Sequence, residues 1–365
     1  MAAKSSPPTS AQFLPDAKPV APVSVLAETG KLNRGAKPGM TKTAVLEALR
    51  LMMLGRAFDT KCLSLQRQGK LGTFAPIFGQ EATLVGTAMA LDPAHDWVVP
   101  QYRELPAIIR QGQPMERIAL YRQGHPDGGI IAEGVNVMAT QVSLAAQIPH
   151  AVGLAWGLKM QNRPGVVAVY FGDGASSEGD FHESCNLAGV VEAPVIFVLQ
   201  NNGWAISTPR DIQSGATDLA ARAPGYGFPG VSVDGNDLFA VHKVTAEAVT
   251  RARAGLGPTL IEAHCFRMGP HTTADDPTRY VDPADLERWA KRDPIDRVQK
   301  YLAAEGNWDK ATEETWEQDI AAEVEAAFEA ASAHPRAGPE AIYEHVYAEP
   351  TPTIIRQRDA HLGGQ

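Results

Sequence analysis

The sequence predicts an α/β fold: a doubly wound, mostly parallel sheet with a helical C-terminal extension. Three observations predict it. Residues 166–171 (VVAVYF) and 195–199 (VIFVL) are β-branched and aromatic runs of buried-strand length. Between them, residues 180–191 place Phe181, Cys185, Leu187, Ala188 and Val191 at helical spacing, and a strand-helix-strand unit of this length makes its strands parallel. The alternation continues through residues 230–233, 238–254 and 259–263 as strand, helix and strand.

Taken in order, residues 41–68 form a long helix. Val45, Leu46, Leu49, Met52, Met53 and Phe58 recur at helical intervals, Thr41 is the candidate cap, and Gly69 and Gly72 end the segment. A loop leads to a second helix from about Gln80. Residues 97–99 are a short strand ending in the polar run Pro100-Gln101-Tyr102-Arg103-Glu104, residues 134–140 are irregular, and a small-residue helix covers residues 143–160. Asp180 is placed to cap the helix that follows the next strand, with Glu183 completing a capping box. Residues 284–348, rich in Ala, Glu and Trp, read as helical. The expected division is a flexible N-terminal tail and lead-in (1–40), an α/β domain (41–283), a helical region (284–350) and a tail (351–365). Within the lead-in, the mobile part runs to about residue 25.

Composition narrows the function. The 365 residues hold 33 basic and 42 acidic side chains, a balance of −9 that argues against nucleic-acid binding as the main task. Cys62, Cys185 and Cys265 are few, odd in number and set in apolar sequence, which suits reduced thiols in a cytoplasm. No apolar run approaches the roughly 20 residues of a membrane span, and the Pro-, Ala- and Ser-rich start has no apolar signal core.

The chemistry concentrates at two strand ends. Asp173 follows the first long strand and Asn202 the second, about thirty positions later, so a parallel pairing makes them neighbours where open α/β sheets bind ligands. A carboxylate and a carboxamide oxygen are hard ligands suited to Mg²⁺, which completes its shell with phosphate oxygens and water. Gly172 and Gly174 let backbone N–H groups approach those phosphates. A nicotinamide-binding loop is the rival reading, since Gly172-x-Gly174-x-x-Ser177 imperfectly matches the dinucleotide fingerprint. That fingerprint needs its acid after the second strand. Glu192 precedes it, and the strand ends in Asn201-Asn202.

Gly-Asp-Gly followed at this distance by Asn-Asn is the thiamine diphosphate signature. By it the chain resembles the alpha subunits of the dehydrogenase component of 2-oxo acid dehydrogenase complexes. The likeness spans about residues 40–325 and includes RQGKLGTFAPIFGQEA, VVPQYRELP and FRMGPHTTADDPTRY. The resemblance implies that Asp173 and Asn202 bind Mg²⁺ through side chains and Trp204 through its carbonyl. It implies that Gly172, Gly174 and Ala175 line the diphosphate, that Tyr102, Arg103 and Arg267 hold its oxygens, and that Leu144 contacts the aminopyrimidine ring. His271, in a polar loop, is the implied catalytic residue for acyl transfer, and histidine can change charge near neutral pH. Thr272 stands where mitochondrial relatives carry a regulatory phosphoserine, a departure from that pattern. Alone, Tyr102-Arg103 reads as a surface turn and His271 as a solvated histidine; their company with the metal motif raises them. His150 and His182 read as packing or surface residues, and Gly153-x-x-x-Gly157 as a close-packing segment of the kind the family uses between subunits.

The implied activity is oxidative decarboxylation of a 2-oxo acid in a bacterial cytoplasm. The implied partners are a beta subunit, in an α₂β₂ enzyme inactive without it, and a lipoylated acyltransferase that accepts the acyl group. The pattern leans towards pyruvate through KRDPIDRVQKYLAAEGNW, while Gln101 is a branched-chain-like feature. Branched-chain 2-oxo acids and acetoin are the alternatives. A non-catalytic subunit would be expected to lack Asp173, Asn202 or His271, and all three are present.

Overall fold

The computed structural model describes residues 21–344 and 346–363. Its elements run α1 (Lys42–Arg67), α2 (Glu81–Met89), β1 (Trp97–Val99), α3 (Leu105–Arg110), α4 (Met115–Arg122), α5 (Gln147–Met160), β2 (Val167–Gly172), α6 (Gly179–Val191) and β3 (Val195–Asn201). A short hairpin, β4 (Trp204–Ala205) and β5 (Thr208–Pro209), and α7 (Arg210–Gln213) precede β6 (Gly230–Asp234), α8 (Leu238–Arg253) and β7 (Thr259–His264). The chain then continues as α9 (Pro283–Ala290), α10 (Pro294–Ala304), α11 (Lys310–Ala333), α12 (Ala341–Glu344) and α13 (Pro352–Leu362). No helix among the described residues is long and apolar enough to cross a membrane.

Five strands form one sheet in the order β1-β2-β3-β7-β6, every neighbouring pair parallel. Both faces are covered, and alternation along the strands divides them. Ala168, Tyr170, Ile196 and Val198 face a core shared with α1, α2, α8, α10 and α11. Val167, Val169, Phe171, Phe197 and Leu199 face a second core built with α5 and α6. This is the doubly wound arrangement the sequence predicts. The contacts are close: the Phe171 and Phe181 rings lie 5.4 Å apart, and a Cβ on Gly86 of α2 would sit 2.9 Å from Val241 of α8. On the outer side, α11 packs on α1 through Phe58 and Phe328, whose rings are 5.0 Å apart, and through the Arg50–Glu323 ion pair at 2.6 Å.

Local signals explain the long helices and four corrections. Thr41 caps α1 as expected, its hydroxyl accepting from the Ala44 N–H at 3.2 Å. The expected capping box at Asp180 and Glu183 does not form: α6 starts at Gly179, and its N-cap Glu178 makes no side-chain cap hydrogen bond. A 3₁₀ turn over Gly174–Ser177 feeds the chain in earlier, leaving Asp180 in the first turn, where a carboxylate still complements the helix dipole. The helix expected from residue 143 starts only at Gln147, because Ala145 takes a left-handed φ of 63° and leaves Leu144 in the preceding turn.

The N-terminal lead-in is docked where the tail was expected to reach about residue 25. β6 is a sheet edge, and Val23 pairs with it: its N–H donates to the Ser232 carbonyl at 2.9 Å, and its own carbonyl accepts from the Asp234 N–H at 3.0 Å. The Val25 and Leu26 N–H groups donate to Asp237 Oδ2 at 2.6 and 2.7 Å, and Leu26 is fully buried. An edge strand offers unpaired backbone groups, and this segment satisfies them. At the other end, residues 352–362 of the expected tail form α13, capped by Thr351 with Pro352 in its first turn. Residues 1–20 and 364–365 of the two expected tails lie outside the described residues.

Candidate active site

The strand register sets the site. Gly172 pairs with Gln200, so Asp173 and Asn202 leave β2 and β3 just beyond the last rungs, at the C-terminal edge of the sheet. Beside them β1 ends in Gln101 to Glu104, and β7 ends ahead of Arg267. A cavity of about 670 Å³ opens there. Tyr102, Arg103, Leu144, Gly172, Gly174 and Ala175 line it, as do Asn202, Trp204 and His271. Asp173 and Arg267 lie deeper, 0 % and 1 % exposed.

Asp173 is the electrostatic centre. Neither carboxylate oxygen has a hydrogen-bond partner of full geometry among the described residues, which is costly for a buried carboxyl. Burial raises its pKa to about 6, opposed by nearby backbone N–H groups and by the Arg210 and Arg267 charges. Two unpartnered oxygens in a buried position are the donor set a hard dication requires, and a bound cation would return the group to its ionised form. Asn202 is already oriented: its Nδ2 donates to Gln80 Oε1 at 3.0 Å, and its Oδ1 accepts from the Trp204 N–H at 3.2 Å. Gly174 is required sterically, since a Cβ there would lie 2.9 Å from Ala205 Cβ.

The cationic wall is built from β1 and the loop after β7. Arg267 donates through Nη2 to the Ile206 carbonyl at 2.7 Å and to the Tyr280 hydroxyl at 2.6 Å, while its Nε and Nη1 have no partner among the described residues. Arg103 donates to the Pro76 carbonyl, to the His271 carbonyl at 3.0 Å and to His271 Nδ1 at 3.1 Å. Arginine can only donate, so Nδ1 is the acceptor and the neutral ring carries its hydrogen on Nε2. Burial, with the Arg103 and Arg267 charges, lowers the His271 pKa to about 4. The His271 N–H donates to Asp275 Oδ2 at 2.7 Å, which ties the 269–280 loop down. Leu144 is 44 % exposed at the rim, available for apolar contact.

The structure adds groups that sequence reasoning missed. Glu104, fully buried, accepts from the Gln101 and Arg103 N–H groups, both at 2.9 Å, and from Gln200 Nε2 at 2.7 Å, binding the ends of β1 and β3 together. Burial raises its pKa. Gln80 orients Asn202, and Gln213 donates to the Asp173 carbonyl at 3.0 Å. Glu104 was visible as an acid directly after Tyr102-Arg103. Nothing in the sequence marks Gln80 or Gln213, because both act across large sequence separations.

Residues 49–340 match the model of the family described as dehydrogenase E1 component. A protein of Acholeplasma laidlawii named pyruvate dehydrogenase E1 component subunit alpha is 40% identical over 338 residues, 92% of this chain and 97% of its own. Its namesake from Staphylococcus epidermidis is 40% identical over 341 residues, 93% and 92% of the two chains, and that from Staphylococcus aureus is 39% identical over 341 residues with the same coverage. The chain belongs to the dehydrogenase E1 component family.

Proposed function

We propose that the chain is the alpha subunit of a thiamine diphosphate-dependent pyruvate dehydrogenase, completed by a beta subunit and passing its acyl group to a lipoylated acyltransferase. The observation that carries the reading is the pair of unpartnered, fully buried Asp173 oxygens beside an oriented Asn202 at the sheet edge. The names of the relatives favour pyruvate over branched-chain 2-oxo acids and acetoin.

In this reading Asp173, Asn202 and the Trp204 carbonyl hold Mg²⁺. Gly172, Gly174 and Ala175 give the diphosphate room, and Tyr102, Arg103 and the free donors of Arg267 hold its oxygens, the planar guanidinium matching phosphate geometry. Leu144 packs on the pyrimidine. When bound, thiamine diphosphate supplies the electron sink that lets a 2-oxo acid lose its carboxylate as carbon dioxide. The chain contributes position and proton handling. Glu104 fixes the Arg103 backbone, Arg103 fixes the His271 tautomer, and His271 presents an Nε2 hydrogen to the acyl group during transfer. Three free, buried cysteines suit a reducing bacterial cytoplasm.

The test is co-expression with the adjacent beta-subunit gene, followed by dye reduction with thiamine diphosphate and Mg²⁺. Pyruvate turnover exceeding that with 3-methyl-2-oxobutanoate or acetoin is expected. Preference for either alternative donor would replace the substrate, and no turnover with any donor in a loaded tetramer would refute the reading.

A further inference from the structure

Away from the cavity, α4 and α11 lie side by side, and a cluster of three side chains joins their C-terminal ends. After α4, His125 caps a 3₁₀ turn over Pro126–Gly129 that contains Asp127, and His334 directly follows α11. Some 207 positions separate Asp127 from His334, yet His334 Nε2 is 3.0 Å from Asp127 Oδ2. His125 Nδ1 is 4.0 Å from the same oxygen, and the two imidazoles meet edge to face with centroids 4.8 Å apart. One ligand atom from each residue can be chosen so that all lie within 4.8 Å of one another.

We propose that His125, Asp127 and His334 form a zinc-binding clasp that fastens α4 to α11. Two imidazoles and a carboxylate are the ligand types that select zinc over magnesium. Ligand bonds of about 2.0–2.1 Å in a tetrahedral site separate the ligand atoms by roughly 3.3 Å. The observed 3.0 and 4.0 Å bracket that separation and the remaining pair lies within 4.8 Å, so capture needs side-chain shifts of up to about 1.5 Å.

The surroundings favour this use of the rings. His125 Nε2 lies 3.0 Å from the Pro335 carbonyl, which can only accept, so Nε2 carries the hydrogen and Nδ1 the lone pair. A second-nitrogen bond to a carbonyl is how ligating histidines are commonly oriented. Nδ1 now accepts from the Asp127 N–H at 3.2 Å, a bond that coordination would replace. His334 Nε2 now donates to Asp127 Oδ2 at 3.0 Å, so ligation through Nε2 would replace that bond and move the ring hydrogen to Nδ1. The side chains of His125, Asp127 and His334 are 15%, 36% and 31% exposed, leaving water access to the fourth position. Gln123 Nε2 donates to Ser332 Oγ at 2.9 Å alongside, so the two segments are already aligned. The three cysteines do not compete, because burial keeps their thiols protonated.

The experiment titrates Zn²⁺ into the chelator-stripped, full-length enzyme in excess Mg²⁺ and thiamine diphosphate, followed by calorimetry and thermal unfolding. One Zn²⁺ per chain and a raised Tm are expected. His334→Gln and His125→Gln should each weaken zinc binding at least tenfold and abolish the Tm rise. Co²⁺ in place of Zn²⁺ should give visible absorption that both variants lose, a readout that survives if either variant is less stable. Absence of stoichiometric Zn²⁺ binding, or binding unchanged in both variants, would overturn the clasp. Neither result bears on the cofactor site, whose residues lie at the ends of the sheet strands.

Discussion

Asp173→Asn is expected to do two opposite things, and the pair of effects is the sharpest test of the site. In the metal-free protein the Asp173 carboxyl has a pKa of about 6 against an ordinary 3.8. At 1.36 kcal/mol per unit, holding it ionised above pH 6 costs about 3 kcal/mol. Between pH 3.8 and 6 the folded state binds more protons than the unfolded state, so this group's contribution falls as pH rises through that window and is flat above it. The amide removes the charge but is itself buried without partners, which returns about 1 kcal/mol of the gain. The net expectation is stabilisation of the metal-free protein by about 2 kcal/mol at pH 7.5. That corresponds to a Tm rise of roughly 3 °C for a chain of 365 residues, shrinking as pH falls below 6. The same substitution should abolish the thermal shift that thiamine diphosphate gives with Mg²⁺, a shift worth about 2.7 kcal/mol at a hundredfold excess over Kd in the wild type. Scanning calorimetry with and without chelator reads both effects. A metal-free Asp173→Asn protein less stable than wild type, or one retaining the Mg²⁺-dependent shift, would refute the argument that this carboxylate is held ready for a cation.

Three further outcomes follow from the same geometry. Arg267→Met removes two unpartnered donors as well as the Tyr280 and Ile206 bonds. Thiamine diphosphate affinity by fluorescence titration should fall on the order of 10- to 100-fold, about 1.5–3 kcal/mol for a charged hydrogen bond lost. His271→Ala should slow acyl transfer to a lipoylated acceptor by roughly 10²-fold while dye-coupled decarboxylation falls far less. Because the wild-type imidazole stays neutral down to about pH 4, its transfer rate should show no loss from His271 protonation between pH 6 and 7. The His271 contribution to folding stability, read as the difference between wild type and His271→Ala, should decline as pH drops from 6.5 towards 4, since the half-buried ring resists a proton the unfolded chain accepts. Leu26→Ala should cost about 2–5 kcal/mol by denaturant titration, the range for a fully buried leucine, and a value within 0.5 kcal/mol of wild type would mean the lead-in is not docked.

What the sequence made legible was whatever it encodes locally and repeatedly. The long strands announce themselves by unbroken β-branched runs, α1 by its periodicity and Thr41, and the Asp173/Asn202 pair by strand ends whose meeting follows from parallel topology alone. Single-residue backbone choices were harder. Ala145 in the left-handed region delays α5 by several residues, and no propensity marks an alanine for that conformation. Residues 23–26, Val-Ser-Val-Leu, are too short a run to show a period, and only the open edge of β6 gives them a place. α3 and α4 are short, and their apolar positions span too few turns to show a period. Gln80 and Gln213 serve the site through partners far away in sequence, a relation that one chain read alone does not display.

The register between β2 and β3 carries a consequence for tolerance to mutation. Sliding one strand by a single residue would part Asp173 from Asn202, and it would also exchange the residues of that strand between the two cores. Tyr170 and Val198 would trade sides with Phe171 and Leu199, against helices shaped for the others. The spacing of Asp173 and Asn202 is therefore guarded by the cohesion of the whole sheet rather than by contacts at the site. A one-residue deletion in either strand would unfold the protein before it could produce a folded enzyme with a misplaced ligand. Variation that retunes this site while keeping the fold has to arise past the last rungs, in the loops beginning at Asp173 and Asn202.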